Sequence, residues 1–244
     1  MRPELVEYLQ LILPPFALIW LFIFQLPDSA FPLRLSAQIF SFIFVRDAMI
    51  PTRMWSITSN FSLTFINDAE ALFVVSGSSV FMAVLIYYAN KSQASVVLCR
   101  KSELKCFMAG MIASLVVYLP VLLIKNTMLA PTTTIQYTFP LLMGNLALTV
   151  CGNLVEELLF RSYLSSYLGR LGVTSLRSAL LQASAFAVFH MYLALIVTSC
   201  GAMLLVFTFW EGFVCARLQQ QYGLMSATIA HALAIFYITV NLCR

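Results

Sequence analysis

Charge is scarce in this chain. Lys, Arg, Asp and Glu together make up 10% of its 244 residues, against about 25% in ordinary soluble domains. A soluble fold needs more charge than that to cover its surface. Histidine occurs twice, at His190 and His231. There is no CxxC, no HExxH and no internal repeat. No Gly/Ser/Pro-rich linker or charged low-complexity tract divides the chain, so one compact unit is expected. The net charge of +4 is small and scattered. That argues against a nucleic-acid partner and suits loops that touch anionic membrane lipid. The six cysteines (Cys99, Cys106, Cys151, Cys200, Cys215, Cys243) mostly lie in or beside apolar runs. They read as small buried hydrophobes, not as a disulfide framework or a zinc cluster.

What is abundant is apolar sequence, at 61% of residues. Several runs reach the roughly 20 residues that a helix needs to cross a bilayer. The first, Leu5 to Leu26, is longer than a signal-peptide core and lacks a small-x-small cleavage site. It is expected to be a retained helix, bent at Pro14-Pro15. Further spans are expected at about 69–89, 106–124, 138–168, 178–198, 199–218 and 224–242. Segment 33–66 is ambiguous. Its apolar stretch ends at Arg46 and Asp47, and Pro51, Arg53 and Trp55 follow. It reads as an interfacial or re-entrant piece with Arg and Trp at headgroup depth, or as a short extra span. The fold class is therefore an all-α transmembrane bundle of seven or eight helices. Residues 1–137 form its N-terminal part and 138–244 its chemical core. Lys and Arg concentrate in 90–105, in 161–177 and just after residue 216. These regions should share one side, the cytoplasmic one.

Ionisable residues deep inside a span are costly, about 2.5–3.5 kcal/mol each on the insertion scale. Here they are Glu156, Glu157, His190, Glu211 and His231. Glu157 and Arg161 are four apart with the acid first, the favourable order for a helical ion pair. Glu156 points about 100° away, in line with Asn153, Gly152, Thr149 and Asn145. That stripe should face a hydrated cavity, because lipid cannot satisfy it. Counted along the helices, Glu156, His190 and His231 lie roughly 11–18 Å below one surface. Taken singly, each histidine reads equally well as a hydrogen-bonded packing residue. The Glu157–Arg161 pair alone reads as structural, and Glu211 as a structural hydrogen bond or an interfacial contact. Two glutamates and both histidines on three helices at matching depth are harder to explain as packing.

These residues have a family layout. Glu156-Glu-Leu-Leu-Phe-Arg161 matches EExxxR, Phe186-Ala-Val-Phe-His190 matches FxxxH, and His231 follows where a third histidine motif would stand. Over about 140–240 the chain resembles the CPBP family of intramembrane proteases, the CAAX-processing and bacteriocin-processing group also called Abi. The resemblance implies a bundle of about eight helices with a site open to the cytoplasm, in a bacterial inner membrane. It implies that Glu156 and His190 activate water, that His231 stabilises the oxyanion, and that Glu157 and Arg161 order the site. It points to a glutamate mechanism without metal; a zinc site built from the Glu and His residues is the alternative. Its implied partner is a peptide or protein with a membrane-proximal C-terminal segment.

Two positions depart from the family pattern. Four residues after His231, where members carry Asn or Asp, stands Ile235, which cannot donate a hydrogen bond. Ser162 replaces a frequent Gly. Asn241 lies about 80° off the His231 face and cannot substitute. Another donor such as Asn153 or Gln182, a slower protease, or a catalytically silent scaffold or immunity protein would each accommodate Ile235. A proton-coupled transporter is a third class, but it predicts inverted repeats, which the sequence lacks.

Overall fold

A computed structural model describes residues 2–57, 62–127, 137–198 and 200–240. Asn241 and Cys243 lie outside the described residues. The chain forms α1 (Pro3–Gln25), α2 (Phe31–Asp47), β1 (Trp55–Ile57), β2 (Leu63–Phe65), α3 (Ala69–Asn90) and α4 (Glu103–Thr127). Then come α5 (Phe139–Glu157), a wide π turn (Leu158–Leu164), α6 (Ser165–Arg170) and α7 (Ser175–Val188). A second π turn (Leu193–Val197), α8 (Ala202–Tyr222) and α9 (Leu224–Val240) complete it. α5, the first π turn and α6 run on as one rod from Phe139 to Arg170.

Six helices are long and apolar enough to cross a membrane, and Leu224–Val240 is a shorter apolar one. Their outer faces carry exposed Leu, Phe, Val and Ile, such as Leu18, Phe81, Ile112 and Val206. Water would not tolerate so much apolar surface, whereas lipid would. The protein is a multi-pass integral membrane bundle, as its composition indicates. Helix α1 continues through Pro14 and Pro15.

Segment 33–66 departs from the interfacial expectation. Its first half is a 17-residue helix, packed inside the bundle. Phe31, Leu35, Ile39 and Phe42 recur at helical spacing and bury against Leu158, Leu159 and Tyr163. Polar residues of α2 are buried too, and two of them, Arg34 and Gln38, reach partners outside the helix. Arg34 donates to the carbonyl oxygens of Leu26 (2.6 Å) and Ala89 (2.8 Å). Gln38 accepts from Asn90 at 2.7 Å. The second half of the segment is an antiparallel hairpin that pairs Trp55 with Phe65 and Ile57 with Leu63. Strand alternation sends those four side chains to one face, into the bundle, and leaves Ser56 and Thr64 on the other.

Two glycines fix the helix that carries His231. A Cβ on Gly110 of α4 would lie 2.8 Å from the Ile229 Cβ and the Ser226 carbonyl oxygen of α9. The small residue thus permits the close approach of the two helices. Gly223, in the turn before α9, has φ +106°, and a Cβ there would meet the Leu98 carbonyl oxygen at 2.5 Å. Loop residues 97–100 strap that turn: Leu224 and Met225 donate to Val97 and Leu98, and Arg100 donates to Tyr222.

The basic regions meet at the same end of the bundle. The Arg100 side chain donates to Gln219, Lys101 lies over the Tyr222 ring, and Arg170 donates to Gln93. Arg217 reaches Ser175. The described cysteines are all free thiols.

Candidate active site

The site begins with two adjacent glutamates at the end of α5. Glu156 and Glu157 close the regular helix, and the π turn starts at the next residue. An extra residue per turn re-aims the side chains around it, a common device at functional sites. Glu157 turns inward and is fully buried. Its Oε2 pairs with Arg161 Nε at 3.3 Å, and its Oε1 meets His231 Nδ1 at 2.9 Å. Arg161, also fully buried, lies 4.4 Å from the Phe186 ring centroid and donates to the Gly212 carbonyl oxygen at 3.4 Å.

Glu156 faces a cavity of about 170 Å³, which has room for several waters. Its floor is polar: Arg46, Thr149, Asn153, Glu156, His190, Thr208, Glu211 and His231 line it. Its walls are apolar, with Trp55, Ile57, Leu63 and Phe65 of the hairpin on one side. Leu204, Phe207, Ile235 and Ile238 line another part. His231 Nε2 stands 3.6 Å from Glu156 Oε2 and 3.6 Å from Glu211 Oε1. One imidazole therefore touches the spheres of three carboxylates.

His190 is held where α7 breaks. The helix ends at Val188, and the His190 amide makes a tight bond to Ala187 O. Its Nδ1 lies 2.8 Å from the Phe186 carbonyl oxygen, and its Nε2 lies 2.8 Å from Arg46 Nη1. Arginine only donates, so Nε2 accepts and the ring proton sits on Nδ1, donating to Phe186. The Phe186 ring lies between the two imidazoles, 4.5 Å from His190 and 5.7 Å from His231 between centroids.

The residues singled out from sequence fall into two groups. Glu156, Asn153, His190 and His231 line one cavity. Glu157 and Arg161 sit behind it, sealed from it. Gln182 does not line it; its amide donates to Ser178 Oγ at 2.9 Å on its own helix. Within the predicted polar stripe, Thr149 and Gly152 reach the cavity, while Asn145 donates back to the Leu141 carbonyl oxygen.

Sequence reasoning missed two members. Arg46, expected at headgroup depth, reaches into the cavity and bridges Glu156 Oε1 (3.2 Å) and His190 Nε2 (2.8 Å). Glu156 is thus paired with an arginine from a distant helix. The contact spans 110 residues and leaves no local trace. Glu211, given no partner, stands beside His231; its presence within an apolar helix was the available signal. Trp55, also expected at the headgroups, lines the cavity wall.

A group of possible metal ligands also forms, though not the one anticipated. Glu157, Cys215 and His231 each offer one atom, and these lie within 4.8 Å of one another. The glutamate and histidine of that set already hydrogen-bond to each other.

The fold and the site define a membrane-embedded helical bundle with carboxylates and imidazoles gathered under an apolar cavity. Residues 138–237 match the family model described as type II CAAX prenyl endopeptidase Rce1-like, so over that stretch the chain is similar to CAAX-type intramembrane peptidases. Neither the curated proteins nor the solved structures contain a match to the chain.

Proposed function

We propose that the protein is an intramembrane endopeptidase that cleaves near the C-terminus of a lipidated or membrane-anchored peptide, with Glu156 as the base that activates water. The observation that carries this is the meeting of Glu156 from α5, His190 from the break after α7 and His231 from α9 on one cavity. Glu156 removes a proton from water and the resulting hydroxide adds to the scissile carbonyl. The tetrahedral intermediate collapses, and the leaving amine takes a proton from Glu156. His190 accepts a hydrogen bond at Nε2 and so orients polar groups beside Glu156. His231 stabilises the developing negative charge from the opposite side. Glu157 and Arg161 hold His231 in place. The apolar wall suits a lipid chain or an aliphatic segment, and the family description makes a prenylated C-terminus the first substrate to try.

The basic end of the bundle faces the cytoplasm in this reading, by the positive-inside rule, in a bacterial inner membrane. No metal takes part; Glu156 supplies the chemistry that zinc would otherwise provide.

The test uses the purified protein in lipid nanodiscs with a fluorogenic farnesylated peptide ending in a CAAX tetrapeptide. Wild type cleaves it, and Glu156→Gln inserts normally but does not. His190→Ala behaves like Glu156→Gln, and His231→Ala loses turnover more than substrate binding. Equal turnover in Glu156→Gln would reject the assignment. Comparing protein C-termini in cells carrying either form extends the test to other substrates.

A second reading is favoured by one residue. Ile235 lines the cavity where a hydrogen-bond donor belongs, as in a silent scaffold or immunity protein. In that case Glu156→Gln leaves the cellular phenotype intact.

A further inference from the structure

Among the described residues, the only Lys or Arg lining the cavity is Arg46. It comes from the last turn of α2, outside the segment that matches the family model. Its position is over-determined. Nε donates to Asp47 Oδ1 at 2.9 Å. Nη1 is shared between Glu156 Oε1 and His190 Nε2. The guanidinium lies 5.9 Å from the Phe42 ring centroid, and the Trp55 indole donates to the Arg46 carbonyl oxygen at 3.2 Å. A side chain held by so many contacts needs little reorganisation to act.

Nη2 is the least occupied corner of the group. Its acceptor is the Phe189 carbonyl oxygen, at 3.5 Å, so donor capacity remains there. On the other side of the cavity Ile235 presents hydrocarbon. The cavity therefore holds a base and an acceptor imidazole beside a fixed cation, and it lacks the neutral donor expected after His231. Negative charge that develops next to Glu156 has Arg46 beside it, 3.2 Å from Glu156 Oε1.

Resting on the endopeptidase reading above, we infer that Arg46 binds the oxyanion together with His231 and replaces in function the donor lost at Ile235. When hydroxide adds to the carbonyl carbon, the C=O π pair moves onto oxygen. An Arg46 N–H accepts that charge as a hydrogen bond, while the water proton resides on Glu156. Collapse of the intermediate returns the pair to C=O as the C–N bond breaks. The charge of Arg46 is unchanged throughout.

The test uses n-octylboronic acid, whose alkyl tail suits the apolar wall. Boron takes up hydroxide from the activated water and becomes a tetrahedral anion, with the water proton passing to Glu156. Boron NMR of the full-length protein in nanodiscs separates the trigonal from the tetrahedral species. Wild type forms the tetrahedral adduct, and Glu156→Gln does not. Arg46→Gln weakens the adduct about tenfold or more, and Arg46→Lys, with charge but no fork, falls between. Arg46→Gln combined with Ile235→Asn recovers most of the affinity, which a purely structural role for Arg46 would not allow. Thermal unfolding of each variant establishes that it is folded.

Equal adduct in Arg46→Gln and wild type overturns this inference and leaves the Glu156 reading standing. A tighter adduct in Arg46→Gln also overturns it, because Arg46 would then be a plug in the water position. Loss confined to Asn153→Ala, whose buried Nδ2 has no hydrogen-bond partner, moves the donor there and overturns it. An adduct that survives Glu156→Gln, or no adduct in wild type, overturns the base assignment as well.

Discussion

Glu156 and Glu157 are neighbours in sequence yet belong to different regions of the molecule. Glu157 belongs to a sealed layer in which its partners are Arg161, four residues on along the same rod, and His231 Nδ1. Glu156 belongs to an open layer in which its partners come from elsewhere: Arg46 from α2 and the Nε2 edge of His231. The sealed layer resembles a buried structural ion pair, and the open one a site with room for water. The two faces of His231 join them, with Nδ1 toward the sealed side and Nε2 toward the cavity. Two carboxylates of identical chemistry thus meet different surroundings because of the direction in which each points.

The sharpest way to break that contrast is Glu156→Gln. It keeps shape and packing and removes the proposed base, so turnover of the farnesylated peptide should fall by about 10³ or more, while thermal unfolding in nanodiscs stays close to wild type. A protein that loses stability but keeps activity would reverse the two layers.

The sealed layer predicts the opposite balance. Arg161→Met leaves the Glu157 carboxylate buried without its cation, a loss of about 3–5 kcal/mol in such pairs. The expected result is a large drop in unfolding temperature, partly recovered when Glu157→Gln is added. Stability unchanged in Arg161→Met would show that the pair is not structural.

A smaller effect is expected outside the bundle. Asp68 caps α3 by accepting from the Ala71 amide at 3.0 Å, and Arg2 pairs with it. Asp68→Ala should cost about 1 kcal/mol and leave cleavage alone. The Ala71 hydrogen bond, and then Arg2, hold this carboxyl below its ordinary value. A depressed pKa stabilises the fold at pH above the ordinary aspartate range, and the contribution is lost as pH falls through the depressed value. The difference between wild type and Asp68→Ala should therefore shrink in acid. A difference that grows in acid would contradict the cap.

The smallest effect concerns metal. Treatment with 1,10-phenanthroline should leave turnover unchanged under the proposal that Glu156 rather than a metal activates water. Loss of activity restored by added zinc would point to the Glu157, Cys215 and His231 group and merge the two layers into one metal centre.

Apolar run lengths and the scarcity of charge were enough to indicate a multi-pass helical bundle, because crossing a bilayer imposes a length and a composition on each segment. The Glu157–Arg161 pair and much of the Glu156 stripe were legible for a related reason: helix geometry is local, so a spacing of three or four residues states which side chains share a face. Segment 33–66 resisted because its polar residues read as interfacial until their distant partners are known. Arg34 needs the Leu26 and Ala89 carbonyls, Gln38 needs Asn90, and Arg46 needs Glu156 and His190. Gln182 shows the converse, since a serine on its own helix takes its amide N–H away from the cavity.

By itself, the sequence determined the long spanning helices other than α2, that they lie in a membrane, and most of the ionisable side chains they carry inward. The tertiary structure alone decided that Arg46 and Glu211 join those side chains and that Gln182 does not. Contacts between groups tens of residues apart depend on how helices cross and where they break, as at the π turn after Glu157 and the end of α7 before His190, and such crossings leave no spacing in the chain to read.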